Sequence, residues 1–125
     1  MIRMINKLVR SFSFAYQGLI YCFKTQKNMR IHFFIALVVF MISYWLELEK
    51  GEFLIILLTV ALVWVAEIIN TSLEKIVDLL SPQYHPLAGI AKNVAAGAVL
   101  VSAIFAVIVG ILIFGEKLFK FLTKI

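Results

Sequence analysis

Apolar residues recur every three or four positions through the first part of the chain, at Ile5, Leu8, Phe12, Tyr16, Leu19 and Phe23. Arg3, Lys7 and Arg10 share another face. This pattern predicts an amphipathic helix over residues 1–29 that lies in a membrane interface. From Ile31 the polar positions almost vanish. The run to Leu48 predicts a first spanning helix over 31–48, with Tyr44 and Trp45 as an interfacial aromatic anchor near its end. Glu47 to Glu52 reads as a short acidic turn around Gly51. A second apolar run starts at Phe53 and reaches about Asn70. Nothing breaks its helical pattern before Ser81, Pro82 and Pro86, so one helix is predicted over 53–80, projecting beyond the hydrocarbon. Residues 81–90 read as a connector. The third span is predicted over 90–115, where Ala95, Ala96, Gly97 and Ala98 permit close helix packing.

Composition makes the membrane reading firmer. The 125 residues are 63% hydrophobic and 15% charged. A soluble domain of this size could not hide so much apolar surface, because roughly a third of it stays exposed after folding. The fold class expected is all-α integral membrane, with three transmembrane helices plus the N-terminal interfacial helix, forming a single domain over 1–125. Cys22 is the sole cysteine, so no internal disulfide and no thiolate metal cluster is expected. The first strongly apolar run begins too late for a signal peptide, and no small-residue cleavage site follows it.

The net charge of +5 does not point to nucleic acid. Six of the twelve basic residues precede the first apolar run, where such residues set topology or touch anionic headgroups. With the N-terminus inside, Arg3, Lys7, Arg10, Lys24, Lys27, Arg30, Lys75 and Lys92 lie on the inner side. Lys50, Lys117, Lys120 and Lys124 lie outside. Eight against four favours a cytoplasmic N-terminus.

The candidate chemistry sits on the second helix. Glu67, Asn70, Glu74 and Asp78 fall at i, i+3, i+7 and i+11, which places them on one face. Glu67 follows the apolar run Leu62 to Ala66 at the membrane boundary, where an ionised carboxylate costs at least ~2.5 kcal/mol. Such a carboxylate can act as a general base. A second one, one to two turns away, can hold Mg²⁺ among phosphate oxygens. Lys92 can neutralise phosphate. No P-loop and no protein-kinase motif is present, but phosphoryl transfer needs only positioning, a base, metal and positive charge. His32 reads as an interfacial side chain rather than a metal ligand. The phenylalanines, including Phe12, Phe14, Phe23, Phe33 and Phe34, read as lipid-facing or packing residues.

The stretch from Ala66 to Asp78 carries an E-x-x-N-x-x-x-E-x-x-x-D motif that resembles the signature of the small prokaryotic diacylglycerol kinases. The resemblance continues through Ser81-Pro82-Gln83-Tyr84-His85, Ala91-Lys92-Asn93-Val94-Ala95-Ala96-Gly97-Ala98 and, upstream, Asn28-Met29-Arg30-Ile31-His32. It spans about residues 5–115, and its wording is nearest to the undecaprenol kinase branch. The resemblance implies a homotrimer with shared active sites at the cytoplasmic face of the bacterial inner membrane. It implies ATP as donor, Mg²⁺ as cofactor and a lipid hydroxyl as acceptor, with undecaprenol the first expectation and diacylglycerol the alternative. Glu67 falls on the family's catalytic base and Glu74 on its metal-binding glutamate. Asn70 and Asp78 fall on the supporting positions. The family's nucleotide contacts fall on Gln83, Tyr84, His85, Lys92 and Asn93, with Lys7 or Arg10 added from the first helix.

Two positions depart from that pattern. Gln26 and Asn93 stand where the family commonly has carboxylates. Gln26 can still offer an amide oxygen to metal and nucleotide, but without charge. Activity is therefore expected with an altered metal dependence, Glu74 being the only charged protein ligand and ATP phosphates supplying most of the metal's coordination; a relative without phosphotransfer activity is the minority alternative. A proton- or cation-conducting transport subunit using Glu67 is the competing class. It leaves the Tyr84-His85 connector and Lys92 without a role.

Overall fold

The computed structural model describes residues 1–123, so Lys124, assigned above to the outer side, lies outside the described residues. Four α-helices follow one another: α1 (Ile2–Thr25), α2 (Lys27–Trp45), α3 (Lys50–Leu80) and α4 (Pro86–Leu122). The described residues contain no strand. At about 1.5 Å per residue, α2 is about 28 Å long, close to the ~30 Å of a hydrocarbon core. The α3 and α4 helices, at about 46 and 55 Å, are long enough to emerge from it. All three have the length and composition of membrane spans.

The boundaries differ from the expected ones at the corner between α1 and α2, at the α2–α3 turn, where α2 ends at Trp45 rather than 48, and at both ends of α4. The N-terminal helix stops at Thr25 rather than at 29, because Gln26 is extended (φ −99°, ψ 116°). The chain turns there, and α2 begins at Lys27 instead of Ile31. The acidic turn is shorter than expected. Glu52 accepts a hydrogen bond from the Glu49 backbone N–H at 2.8 Å, which draws Lys50 and Gly51 into the first turn of α3. The α4 helix starts at Pro86, not 90, since proline suits the first helical position and the His85 ring accepts the Leu87 N–H at 3.2 Å. It then runs past 115 to Leu122.

The α2–α3 turn is closed by a Schellman pattern. Leu48 N–H donates to Ser43 O at 3.1 Å and Glu47 N–H to Tyr44 O at 3.2 Å. Glu47 sits at φ 50°, a left-handed conformation that a side chain disfavours. Glu47→Gly is expected to raise the thermal unfolding midpoint in detergent, by up to about 1 kcal/mol of stability. A lowered midpoint would show that the glutamate side chain contributes more than its backbone costs.

Packing is inverted relative to a soluble protein. Large apolar side chains such as Leu58, Leu62, Phe105 and Leu112 are exposed on the outside. Many of the buried positions are small or polar, among them Ala36, Ser43, Glu67, Asn70, Thr71, Ala95 and Ser102, beside a few larger apolar ones such as Met29, Ile56, Val63 and Val99. Small residues let helices approach where lipid leaves no hydrophobic drive between them. Within the expected small-residue stretch, Ala95 is the buried one, in line with Val99 and Ser102. A side chain at Gly97 would meet nothing within 4 Å.

The α3 and α4 helices form an extensive antiparallel pair, tied near both ends by ion pairs. Lys92 meets Asp78 at 2.5 Å, and Lys117 meets Glu52 at 2.9 Å. The two ties lie about 39 Å apart along α3, wide enough to bracket the hydrocarbon. An aromatic chain fastens α1 and α2 to α3. Phe23 meets Phe33 edge-on at 5.3 Å, and Phe33 stacks on Trp64 at 5.8 Å. Phe12, Phe14 and Phe34 are exposed. Lys75 lies 5.9 Å from the Tyr21 ring, a second link between α1 and α3.

Candidate active site

The polar face of α3 begins at Glu67. The helix turns Glu67, Asn70, Thr71 and Glu74 toward one side, and the first three are buried. Glu67 is only 1% exposed. Its backbone carbonyl accepts the Thr71 hydroxyl at 2.9 Å, while its Oε2 has no hydrogen-bond partner among the described residues. Asn70 donates through Nδ2 to Glu74 Oε1 at 3.1 Å, and its Oδ1 is likewise unpartnered among them. A buried polar atom without a partner costs about 1–3 kcal/mol, so these acceptors mark a place built for donors from elsewhere.

Both residues line an open cavity of about 290 Å³ between α2, α3 and α4. Its polar residues come in two pairs, Asn28 and His32 from α2 and Glu67 and Asn70 from α3. Apolar side chains, among them Ile31, Val99 and Leu100, line the rest. Below it runs an apolar groove of about 370 Å³ reaching to Ile111 and Phe114. His32 and Ala103 line both spaces, so the groove and the polar cavity adjoin.

Glu74 and Asp78 continue the face toward the end of α3. Glu74 is half-buried and held by Asn70. Asp78 is exposed and paired with Lys92, which rises from the second turn of α4. Five residues, 81–85, connect the helices. Gln83, Tyr84 and His85 are exposed there, Tyr84 at 92%. Asn93 is exposed beside Lys92. Lys7 and Arg10 are exposed on α1 and form no ion pair among the described residues; the Arg10 guanidinium lies 6.0 Å from the Phe14 ring. Gln26 is half-buried at the corner between α1 and α2, and its side chain makes no cap. Among the described residues no three His, Cys, Asp or Glu side chains converge on a common metal position.

The model of the prokaryotic diacylglycerol kinase family matches residues 13–114, most of the chain. The chain belongs to that family. A diacylglycerol kinase from Synechocystis is 49% identical over 104 residues, covering 82% of this chain and 59% of that protein. This chain therefore spans well under two thirds of the Synechocystis protein's length. An undecaprenol kinase from Bacillus subtilis is 38% identical over 114 residues, covering 91% of this chain and 93% of its own. The diacylglycerol kinase of Escherichia coli K12 is 28% identical over 103 residues, covering 82% of this chain and 84% of its own. The motif on α3 and the Lys92 segment fall inside the matched region, whereas Lys7 and Arg10 fall outside it.

Sequence reasoning found the α3 face because its period is helical. It gave Asn28 and Thr71 no role of their own, and it read His32 as an interfacial side chain. Asn28 and His32 stand one helical turn apart, a spacing that signals a shared face. Which helix that face meets is a matter of tertiary packing.

Proposed function

We propose that the chain is a lipid kinase that transfers the γ-phosphoryl group of ATP to a lipid hydroxyl, with undecaprenol as the acceptor and undecaprenyl phosphate as the product. The observation that carries this reading is the junction of a carboxylate-bearing cavity with an apolar groove at His32 and Ala103. A lipid acceptor needs both surfaces, one for its hydroxyl and one for its chain. Family membership supplies the phosphoryl chemistry.

Undecaprenol suits the groove better than diacylglycerol does. A polyprenol carries its hydroxyl directly on hydrocarbon. Diacylglycerol brings two esters beside its hydroxyl, and each needs a donor when buried. Among the groove's polar side chains, Thr59 already donates to Ile55 O at 2.7 Å and His32 lies at the junction with the polar cavity, so along the groove itself the Trp64 N–H is the one donor left for two esters. The name of the Bacillus relative agrees with this choice.

Glu67 takes the proton of the acceptor hydroxyl as its oxygen attacks the γ-phosphorus. The bond from that phosphorus to the bridging oxygen breaks, and ADP leaves. Glu67 and Glu74 lie about 10 Å apart along α3, which leaves room for the hydroxyl and the phosphoryl group between them. Asn70 holds Glu74. Lys92, steadied by Asp78, offers positive charge to the phosphates. Gln83, Tyr84, His85 and Asn93 provide nucleotide contacts at the exposed connector, with Lys7 and Arg10 reaching in from α1. Mg²⁺ fits the donor set, because it needs few protein carboxylates when it arrives with phosphates. Glu74 would hold it, aided by the Gln26 amide oxygen. When bound it neutralises phosphate charge and orients the transferring group. In this reading the enzyme is a homotrimer with shared sites in the bacterial cytoplasmic membrane, its N-terminus inside.

The deciding assay incubates the purified chain in detergent with γ-labelled ATP and Mg²⁺, offering undecaprenol and diacylglycerol in parallel. Label should pass to undecaprenol at the higher kcat/KM. Label on neither lipid would sink the kinase reading, and a preference for diacylglycerol would overturn the acceptor. Glu74→Ala should shift the Mg²⁺ titration to higher concentration by at least tenfold. An unchanged titration would remove Glu74 as a ligand.

A further inference from the structure

Glu67 Oε2 is a buried acceptor that no described residue satisfies. The cavity it lines offers two side-chain donors from a facing helix, Asn28 and His32 of α2, whereas Asn70, on α3 itself, is turned toward Glu74, to which it gives one amide N–H. Trp64 Nε1 also lacks a partner, but Trp64 lines the groove and not this cavity.

Helix direction chooses between Asn28 and His32. In an α-helix each Cα–Cβ bond tilts toward the helix N-terminus. The α2 and α3 helices are consecutive and joined by the tight turn at 46–49, so they run antiparallel. Counting back from that turn sets Asn28 near the level of Glu67 and His32 one turn deeper. His32 leans toward the N-terminus of α2, which raises its ring. Glu67 leans toward the N-terminus of α3, which lowers its carboxylate. The two tips therefore approach one another, while Asn28 leans away. The cavity between them, at about 290 Å³, also has room for bridging water.

We propose that His32 is the positioning residue for Glu67: its imidazole N–H donates to the unpartnered carboxylate oxygen, directly or through one water, and leaves the other oxygen facing the acceptor hydroxyl. The inference rests on the lipid kinase reading and gives that site a residue from a second helix. Its consequence is mechanical. A free carboxylate on one helix can rotate; one held from α2 presents a fixed oxygen at the mouth of the groove. Coupling between α2 and α3 then becomes a condition for turnover.

The test compares wild type with His32→Gln, which keeps an N–H donor, and His32→Leu, which does not. Losing a hydrogen bond to a buried carboxylate should lower kcat about 10- to 100-fold. His32→Leu should show that loss with the KM values for ATP and lipid nearly unchanged, and His32→Gln should recover most of it. If His32→Leu instead raises the lipid KM and spares kcat, His32 is only a wall of the groove and the proposal fails. It fails equally if His32→Gln is as impaired as His32→Leu, or if both match wild type. Should His32→Leu not elute as a folded protein from gel filtration, His32→Ala takes its place in the comparison. Failure of the underlying reading looks different, because wild type itself would then transfer no label.

Discussion

Replacing Glu67 with glutamine is expected to lower phosphoryl transfer by about 10²- to 10⁴-fold while leaving the KM for ATP close to the wild-type value. The magnitude is that of removing a positioned general base. Glutamine has nearly the same shape, so the packing around a residue that is 1% exposed is kept. Its amide also provides donors, so the substitution adds no unpaired charge to the buried face. What disappears is the ability to accept a proton. ATP binding should be spared because Glu67 lies about 10 Å along α3 from Glu74, and further still from the connector at 81–85. Glu67→Asp provides a second reading of the same group. It retains the carboxylate but withdraws it by one methylene, so a loss between wild type and Glu67→Gln is expected. Full turnover in Glu67→Gln, measured with γ-labelled ATP and undecaprenol, would remove Glu67 as the base.

Lys92→Met should cost about 10²- to 10³-fold in kcat, the range seen when one preorganised donor to developing charge is removed. Methionine keeps much of the aliphatic stem and removes only the ammonium. In the structure that ammonium rests on Asp78 at 2.5 Å, so the lysine is held over the polar end of α3 rather than left to wander. The pair is exposed, and exposed pairs contribute little to stability. A large catalytic loss with a nearly unchanged unfolding midpoint is therefore the expected combination. Asp78→Asn keeps an oxygen acceptor for Lys92 and should be much milder. If Lys92→Met lowers the midpoint strongly and spares kcat, the pair is a tie between α3 and α4 and nothing more.

Some of the site was readable from spacing. Glu67, Asn70, Glu74 and Asp78 belong to one helix, and residues within a helix announce their common face through a period of 3.6. The Asn70–Glu74 hydrogen bond follows from the same spacing. The Lys92–Asp78 pair does not, because it joins two helices through a connector whose path depends on Pro82, Pro86 and the His85 cap. The corner at Gln26 was hidden for a related reason. The amphipathic pattern of α1 runs into α2 without a glycine or proline, and the break shows only in the extended backbone of one residue. At the other end of α2, the capping carboxylate of Glu52 overrode the turn signal of Gly51.

By itself the sequence determined the class of the protein and the solvent it folds in. A chain that is 63% hydrophobic, with three runs long enough to cross a bilayer, has few other ways to satisfy its backbone. It also determined which residues carry charge into that apolar setting. The tertiary structure decided what those residues meet. Only the packing of α2 against α3 brings His32 and Asn28 to the cavity of Glu67, and only the approach of α4 joins that cavity to the apolar groove. The physical reason is that helical periodicity states which face is polar but not its partner. Partner choice comes from small residues such as Ala36, Ala95 and Ser102, whose effect is felt across the gap between helices.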